Sequence, residues 1–119
     1  MKQPPAIRCE HVATGYLDRP LMGDVNFDIH AGEIAFILGS SGCGKSTLVK
    51  HIIGQQPLLG GEIYIHGEAL SSAGGDSLER ILRSFGVMYQ SGALFGNLTL
   101  LENVMLPLEE FSGLPQDLC

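Results

Sequence analysis

The segment Gly39-Ser40-Ser41-Gly42-Cys43-Gly44-Lys45-Ser46, followed by Thr47, combines glycines, hydroxyls and one ammonium group in an order suited to gripping phosphate. They fit the pattern G-x-x-x-x-G-K-[ST] at every fixed position, and each fixed position has a physical reason. A loop that wraps a di- or triphosphate must turn its backbone N–H groups inward, which calls for glycine at Gly39, Gly42 and Gly44. A helix opening directly behind the loop presents its positive N-terminal end to the phosphates. Lys45 brings a full charge to the β- and γ-oxygens, the Ser46 hydroxyl is placed to ligate Mg²⁺, and Thr47 adds a hydroxyl to the phosphate contacts. A glycine-rich turn with an incidental lysine would carry the same letters, so the flanking elements must decide.

Those elements read as the chemistry requires. Ile34-Ala35-Phe36-Ile37-Leu38 runs without polar interruption, as a strand buried on both faces should. Behind the loop, Leu48, Val49, Ile52 and Ile53 fall on one helical face, and Gly54 is suited to end that helix in a left-handed conformation. Upstream, Ile7 and Cys9, and then Val25, Phe27 and Ile29, alternate with polar residues at the period of half-buried strands. Downstream, Gly60-Gly61 opens a strand with Ile63 and Ile65 on one side. Leu78, Ile81, Leu82 and Phe85 have helical spacing, with Asp76 and Glu79 as an expected capping pair. Val87-Met88-Tyr89 reads as a second buried strand ending at Gln90, and Thr99 with Glu102 predicts a capped helix that Pro107 should kink or interrupt. Strands interleaved with helices indicate an α/β fold, with an antiparallel β portion at the N-terminal end.

Composition narrows the partners. The chain has 119 residues, enough for one domain. No apolar stretch reaches the roughly 18 residues of a membrane span, and the start, Met1-Lys2-Gln3-Pro4-Pro5, is not a secretion signal. Seven Lys plus Arg against thirteen Asp plus Glu give a net charge of −6, which argues against wrapping a nucleic-acid backbone. Cys9, Cys43 and Cys119 lack metal-ligand spacing, which points to a reducing, cytoplasmic compartment. Cys43 is read as a small filler within the loop, the alternative being a redox-sensing thiolate favoured by the helix mouth and Lys45. His11, His30, His51 and His66 are scattered and are expected on the surface or on strand faces, with no metal site. Only 17% of residues are charged, against roughly 25% in globular domains, so apolar surface is expected that a partner should cover.

The order of these elements resembles the N-terminal half of an ABC transporter nucleotide-binding domain, and the α/β fold is accordingly expected to be the P-loop NTPase core of ABC type. The resemblance implies ATP with Mg²⁺ as ligand. It also implies that Tyr16, in Thr14-Gly15-Tyr16, stacks on adenine, which suits a flat π face. Gln90 matches the family's Q-loop glutamine, whose amide accepts from water and reaches Mg²⁺ beside the contact with a membrane subunit. The implied cofactor-binding set is Tyr16, Gly39, Ser40, Ser41, Gly42, Cys43, Gly44, Lys45, Ser46, Thr47 and Gln90. Lys45 and Gln90 would be catalytic, and Ser46 and Gln90 would be metal ligands. Tyr89-Gln90-Ser91-Gly92-Ala93-Leu94-Phe95 resembles the Q-loop of the Mla-type, Mce-associated ATPases that power phospholipid trafficking, as do Leu106-Pro107-Leu108-Glu109-Glu110 and Leu114-Pro115. Members of the family work as homodimers on a transmembrane permease at the inner face of the cytoplasmic membrane, and Leu94 and Phe95 are candidates for that contact.

The departures from the family pattern carry their own expectations. Residues 1–119 contain no LSGGQ-like signature, no apolar strand ending in Asp-Glu as a Walker B segment would, and no switch histidine. They match the N-terminal part of the domain, incomplete at its C-terminus. Phosphoryl transfer depends on positioning and charge stabilisation, so this chain is expected to bind nucleotide without efficient turnover. Two other readings stand beside the ATPase: a truncated nucleotide-binding module, and another P-loop NTPase such as a kinase or GTPase. The latter lacks an Asn-Lys-x-Asp guanine-reading motif here. Strands left without neighbours should expose apolar faces, so marginal stability or self-association is also expected.

Overall fold

The alternating patterns of the N-terminal third and of residues 60–65 give an antiparallel sheet. A computed structural model describes residues 2–40, 42–89 and 91–119. They divide into two units, residues 1–86 and 87–119, each taken separately below.

In the first unit, β1 (Ile7–Tyr16) pairs on one side with β2 (Arg19–Ile29) and on the other with β3 (Gly60–Ile65), which in turn pairs with the short β4 (Glu68–Ala69). All three pairings are antiparallel. Cys9 faces both Phe27 and Ile63, and Ile7 faces both Ile29 and Ile65, so the apolar sets of three strands fall on one face. Helix α1 (Lys45–Ile52) and helix α2 (Asp76–Arg83) supply the rest of the core. Leu48 and Ile81 are buried together with Cys9, Val12, Ile63 and Ile65, and Ile52, Leu58 and Phe27 pack around them.

The ladder breaks in the middle of β1. Register shifts fall between Cys9 and Val12 and again between Val12 and Thr14. There His11 has φ 50 and, across the hairpin, Asp24 has φ 54. Side chains hold both in place. The His11 N–H donates to Asn26 Oδ1 at 2.8 Å, the Asn26 amide donates to the Asp24 carbonyl at 3.0 Å, and His11 Nδ1 lies 2.6 Å from Asp24 Oδ1. Such a bulge bends and twists the strand that carries it, and here it lies upstream of Tyr16 in the same strand.

Several expectations are corrected. Ile34–Leu38 forms no strand: no ladder partner reaches it among the described residues, and Ile34, Phe36 and Leu38 are 85%, 80% and 87% exposed. A strand is stabilised by neighbours, so an apolar run encodes the preference without supplying the partner. Val49 points outward from α1, whose buried residues are Thr47, Leu48 and His51. Gly54, at φ 77, follows the helix end as expected. Asp76 is not a cap of α2. Gly75 holds the N-cap position at φ 55, with no side-chain cap, and Asp76 lies in the first turn.

The second unit contains helix α3 (Leu100–Phe111) and a 3₁₀ turn (Gln116–Leu118). Val87–Tyr89 is not a strand, and Met88 is 96% exposed. The capping box of α3 is present: Thr99 Oγ1 accepts from the Glu102 N–H at 3.1 Å, and Glu102 Oε2 accepts from the Thr99 N–H at 3.0 Å. The helix continues through Pro107 without interruption. Asn103, which no motif singled out, ties the preceding loop to the first turn. Its amide donates to the Thr99 carbonyl at 2.8 Å and its Oδ1 accepts from the Phe95 N–H at 2.8 Å.

Candidate functional site

The site is assembled where the helix α1 starts beside the tip of the β1–β2 hairpin. Gly44 takes φ 100 at the N-cap of α1, a conformation that admits glycine and strains any L side chain. With no side chain available to cap the helix, the N–H groups of its first turn are left for another acceptor. That first turn carries no acid, while Lys50 and His51 stand in the last turn. The positive end of the helix is therefore not neutralised by the chain itself.

The loop ahead of the helix folds back on itself. The Cys43 N–H donates to the Ser40 carbonyl at 3.3 Å, and the Lys45 ammonium donates to the carbonyls of Gly39 and Ser40. Cys43 Sγ packs so closely over Gly39 that a Cβ at Gly39 would lie 2.6 Å from the sulfur. Cys43 is thus a packing residue of the loop, in line with the filler reading. Cys9 is the buried thiol, and burial pushes it up to about 11.

Tyr16 arrives from the other side. It ends β1 opposite Arg19, the first residue of β2, with Leu17 and Asp18 in the turn between. Gly15, at φ 136, makes the approach possible: a Cβ there would stand 2.5 Å from the Arg19 carbonyl oxygen. The Gly15 N–H donates to Nε2 of His51 at 3.1 Å, and Nδ1 of the same ring donates to the Gln56 carbonyl at 2.9 Å. The two bonds together assign the neutral tautomer with its proton on Nδ1. His51 is 0% exposed. This corrects the expectation that every histidine lies on the surface or on a strand face: His51 is an internal strut joining α1 to the hairpin that carries Tyr16.

One cavity of about 470 Å³ is lined by Tyr16, Arg19, Leu21, Gly42, Gly44, Lys45, Ser46 and Thr47. An aromatic face, two cations, two hydroxyls and the mouth of a helix converge there, and no carboxylate is among the lining residues of a chain whose net charge is −6. Such a cavity attracts a ligand with a flat ring and several negative charges. Of the expected site residues, Tyr16, Gly42, Gly44, Lys45, Ser46 and Thr47 are brought together. Gly39, Ser40 and Cys43 shape the loop without lining the cavity, and Ser41 and Gln90 lie outside the described residues. Sequence reasoning missed Arg19 and Leu21. The signal available for Arg19 was its place directly after the two-residue turn, which makes it the cross-strand partner of Tyr16.

The family model for ABC transporters matches residues 22–117. The chain is 37% identical over 102 residues to the phosphonates import ATP-binding protein PhnC of Trichormus variabilis, covering 83% of this chain and 41% of that protein. It is 36% identical over 101 residues to the intermembrane phospholipid transport system ATP-binding protein MlaF of Haemophilus influenzae, covering 85% and 38%. A solved structure of the ATP-binding subunit of an ABC transporter superposes with a TM-score of 0.78 at 31% identity, over 94% of this chain and 45% of that one. The chain thus spans about two fifths of the length of these curated relatives.

Proposed function

The chain belongs to the ABC transporter family, with the ATP-binding domain's fold, and on that premise we propose that its cavity is the ATP site of a transport ATPase. The observation that carries the reading is the convergence of Tyr16 with Gly42, Gly44, Lys45, Ser46 and Thr47 on one acid-free cavity. Tyr16 stacks on adenine. The N–H groups of the loop and of the first turn of α1, with the Lys45 ammonium, hold the β- and γ-phosphates. Mg²⁺ travels with the nucleotide. It is held by few protein oxygens when phosphate and water supply the rest, so a single hydroxyl, Ser46, fits it, and Gln90 would be the second ligand. Among the described residues no cluster of three His, Cys, Asp or Glu marks a dedicated metal centre. A P-loop kinase or GTPase, the other class the loop admits, is set aside by the family membership.

Calorimetry with millimolar Mg·ATP tests this directly. Binding heat is expected from the chain, and Lys45→Ala should weaken the affinity by about 10- to 100-fold, because a charged donor to phosphate is lost. Folded wild-type chain that gives no heat would overturn the reading.

Binding without turnover is a second reading. It is favoured by the absence of any carboxylate in the described lining that could polarise a water. A phosphate-release assay on the same material separates the two, with release above the buffer rate counting against a pure binding module.

The finer assignment is to the Mla-type branch. It rests on Tyr89-Gln90-Ser91-Gly92-Ala93-Leu94-Phe95 and on the likeness to the phospholipid-system relative. The partners on this reading are a transmembrane permease and a second ATP-binding copy, at the cytoplasmic face of the membrane. Leu94 and Phe95, both exposed, are the residues offered to the permease. Co-expression with permease subunits of a phospholipid and of a phosphonate system decides the branch. Capture by the phosphonate permease alone would sink it.

A further inference from the structure

We propose that Arg19 is a nucleotide-binding residue of this cavity, pairing with the phosphate nearest the base. The inference rests on the nucleotide reading of the same site and adds a residue that the loop motif does not contain.

Arg19 lines the cavity with Tyr16, Lys45, Ser46 and Thr47, although it comes from a different element than the phosphate loop. The other arginines are committed to carboxylates. Arg8 makes a two-pronged pair with Asp28, at 2.9 and 2.8 Å, Arg80 binds Glu68 at 2.6 Å, and Arg83 binds Glu79 at 2.5 Å. The Arg19 side chain makes no hydrogen bond or ion pair with any described residue, in a chain where acids outnumber bases thirteen to seven. An unengaged guanidinium on the wall of an acid-free cavity is matched by an anion arriving from outside. The planar fork of N–H donors fits two oxygens of a phosphate group better than it fits a ring edge.

Register sets Arg19 beside the aromatic platform. Arg19 is directly opposite Tyr16 in the β1–β2 ladder, and side chains of such cross-strand partners stand about 5 Å apart at their Cβ atoms. Lys45 starts helix α1 and lines the same cavity. With a base on Tyr16 and the terminal phosphates at Lys45, the guanidinium meets the phosphate joined to the sugar. Every nucleotide carries that phosphate, and a nucleoside does not.

The test is titration of the full chain with Mg·ATP, Mg·ADP and adenosine, for wild type, Arg19→Gln and Arg19→Lys. Arg19→Gln is expected to weaken Mg·ATP and Mg·ADP alike by about tenfold, with adenosine unchanged. Arg19→Lys keeps the charge and the stem but loses the fork, and should fall between wild type and Arg19→Gln; it also shows that the hairpin still folds. Arg19→Gln binding Mg·ATP as wild type does would overturn the inference and leave the nucleotide reading standing. A drop for adenosine equal to that for ATP would overturn it too, by placing Arg19 against the base. Wild-type chain that binds none of the three would overturn both.

Discussion

His51 shows how a single side chain links packing to the site. Its ring is wholly buried and accepts the Gly15 N–H while donating to the Gln56 carbonyl, so it fastens the strand beneath Tyr16 to the helix that opens at the phosphate loop. His51→Leu fills the same space and removes both bonds, leaving a buried backbone N–H without an acceptor, which costs roughly 1–3 kcal/mol. Urea denaturation should register that loss, and the affinity for Mg·ATP should fall with it because Tyr16 is no longer held. A variant as stable as wild type would show that the strut is dispensable. Sequence alone misplaces the residue, because its letter suggests the surface or a strand face. Its position told otherwise: Leu48, His51 and Ile52 are spaced i, i+3 and i+4, which puts the ring on the buried face of α1. By contrast, the convergence of Gly42, Gly44, Lys45, Ser46 and Thr47 on one cavity was legible, since G-x-x-x-x-G-K-[ST] encodes backbone geometry and charge in the letters themselves. Arg19 was not, because its role depends on a cross-strand neighbour.

At the scale of elements, the β1–β2 hairpin carries Tyr16 and Arg19, and its outer surface is held by charge. The two-pronged bond from Arg8 holds the Asp28 carboxyl below its ordinary range, and the bond from His11 does the same for Asp24. A carboxylate depressed in the folded state contributes stability that is complete above its unfolded value, about 3.9, and is lost as pH falls through the lower folded value. Wild-type stability should therefore decline as pH is lowered below about 4. In Asp28→Asn the decline should be shallower, because one of the two groups no longer takes up a proton. Thermal melts between pH 2 and pH 7 check this, and parallel profiles for the two proteins would count against it. The outer ends of the hairpin's two strands, at Ile7–Cys9 and Val25–Ile29, were readable in the sequence, because each alternation matches a partner that is also in the chain, whereas the tight turn that brings Tyr16 opposite Arg19 was not. Also readable was the box of Thr99 and Glu102, whose two bonds are local. Asp76 failed as a cap because Gly75 took the N-cap position, a choice of backbone that the Asp76–Glu79 spacing alone does not register.

For the molecule as a whole, the decisive feature is apolar surface that the first unit does not cover. Ile34, Phe36 and Leu38 lead into the phosphate loop and are more than three quarters exposed, at 85%, 80% and 87%. The letters of this run describe a strand enclosed on both faces, and enclosure is a property of neighbours, which is why the segment was legible as a strand and is not one here. Burying three such side chains is worth roughly 1.5–3 kcal/mol each, an incentive large against the marginal stability of a small domain. Association that hides them is therefore expected to compete with the free chain, and stability should rise with concentration by mass action. Sedimentation velocity should show the mean coefficient increasing across a hundredfold range of concentration, with the melting temperature rising in step. Phe36→Ser with Leu38→Lys removes the incentive at its source and should hold both quantities flat, while leaving Tyr16, Lys45 and the helix mouth untouched. A wild-type chain that sediments identically across that range would mean that these side chains find cover within the chain itself, and the exposed course of residues 34–38 would then be wrong.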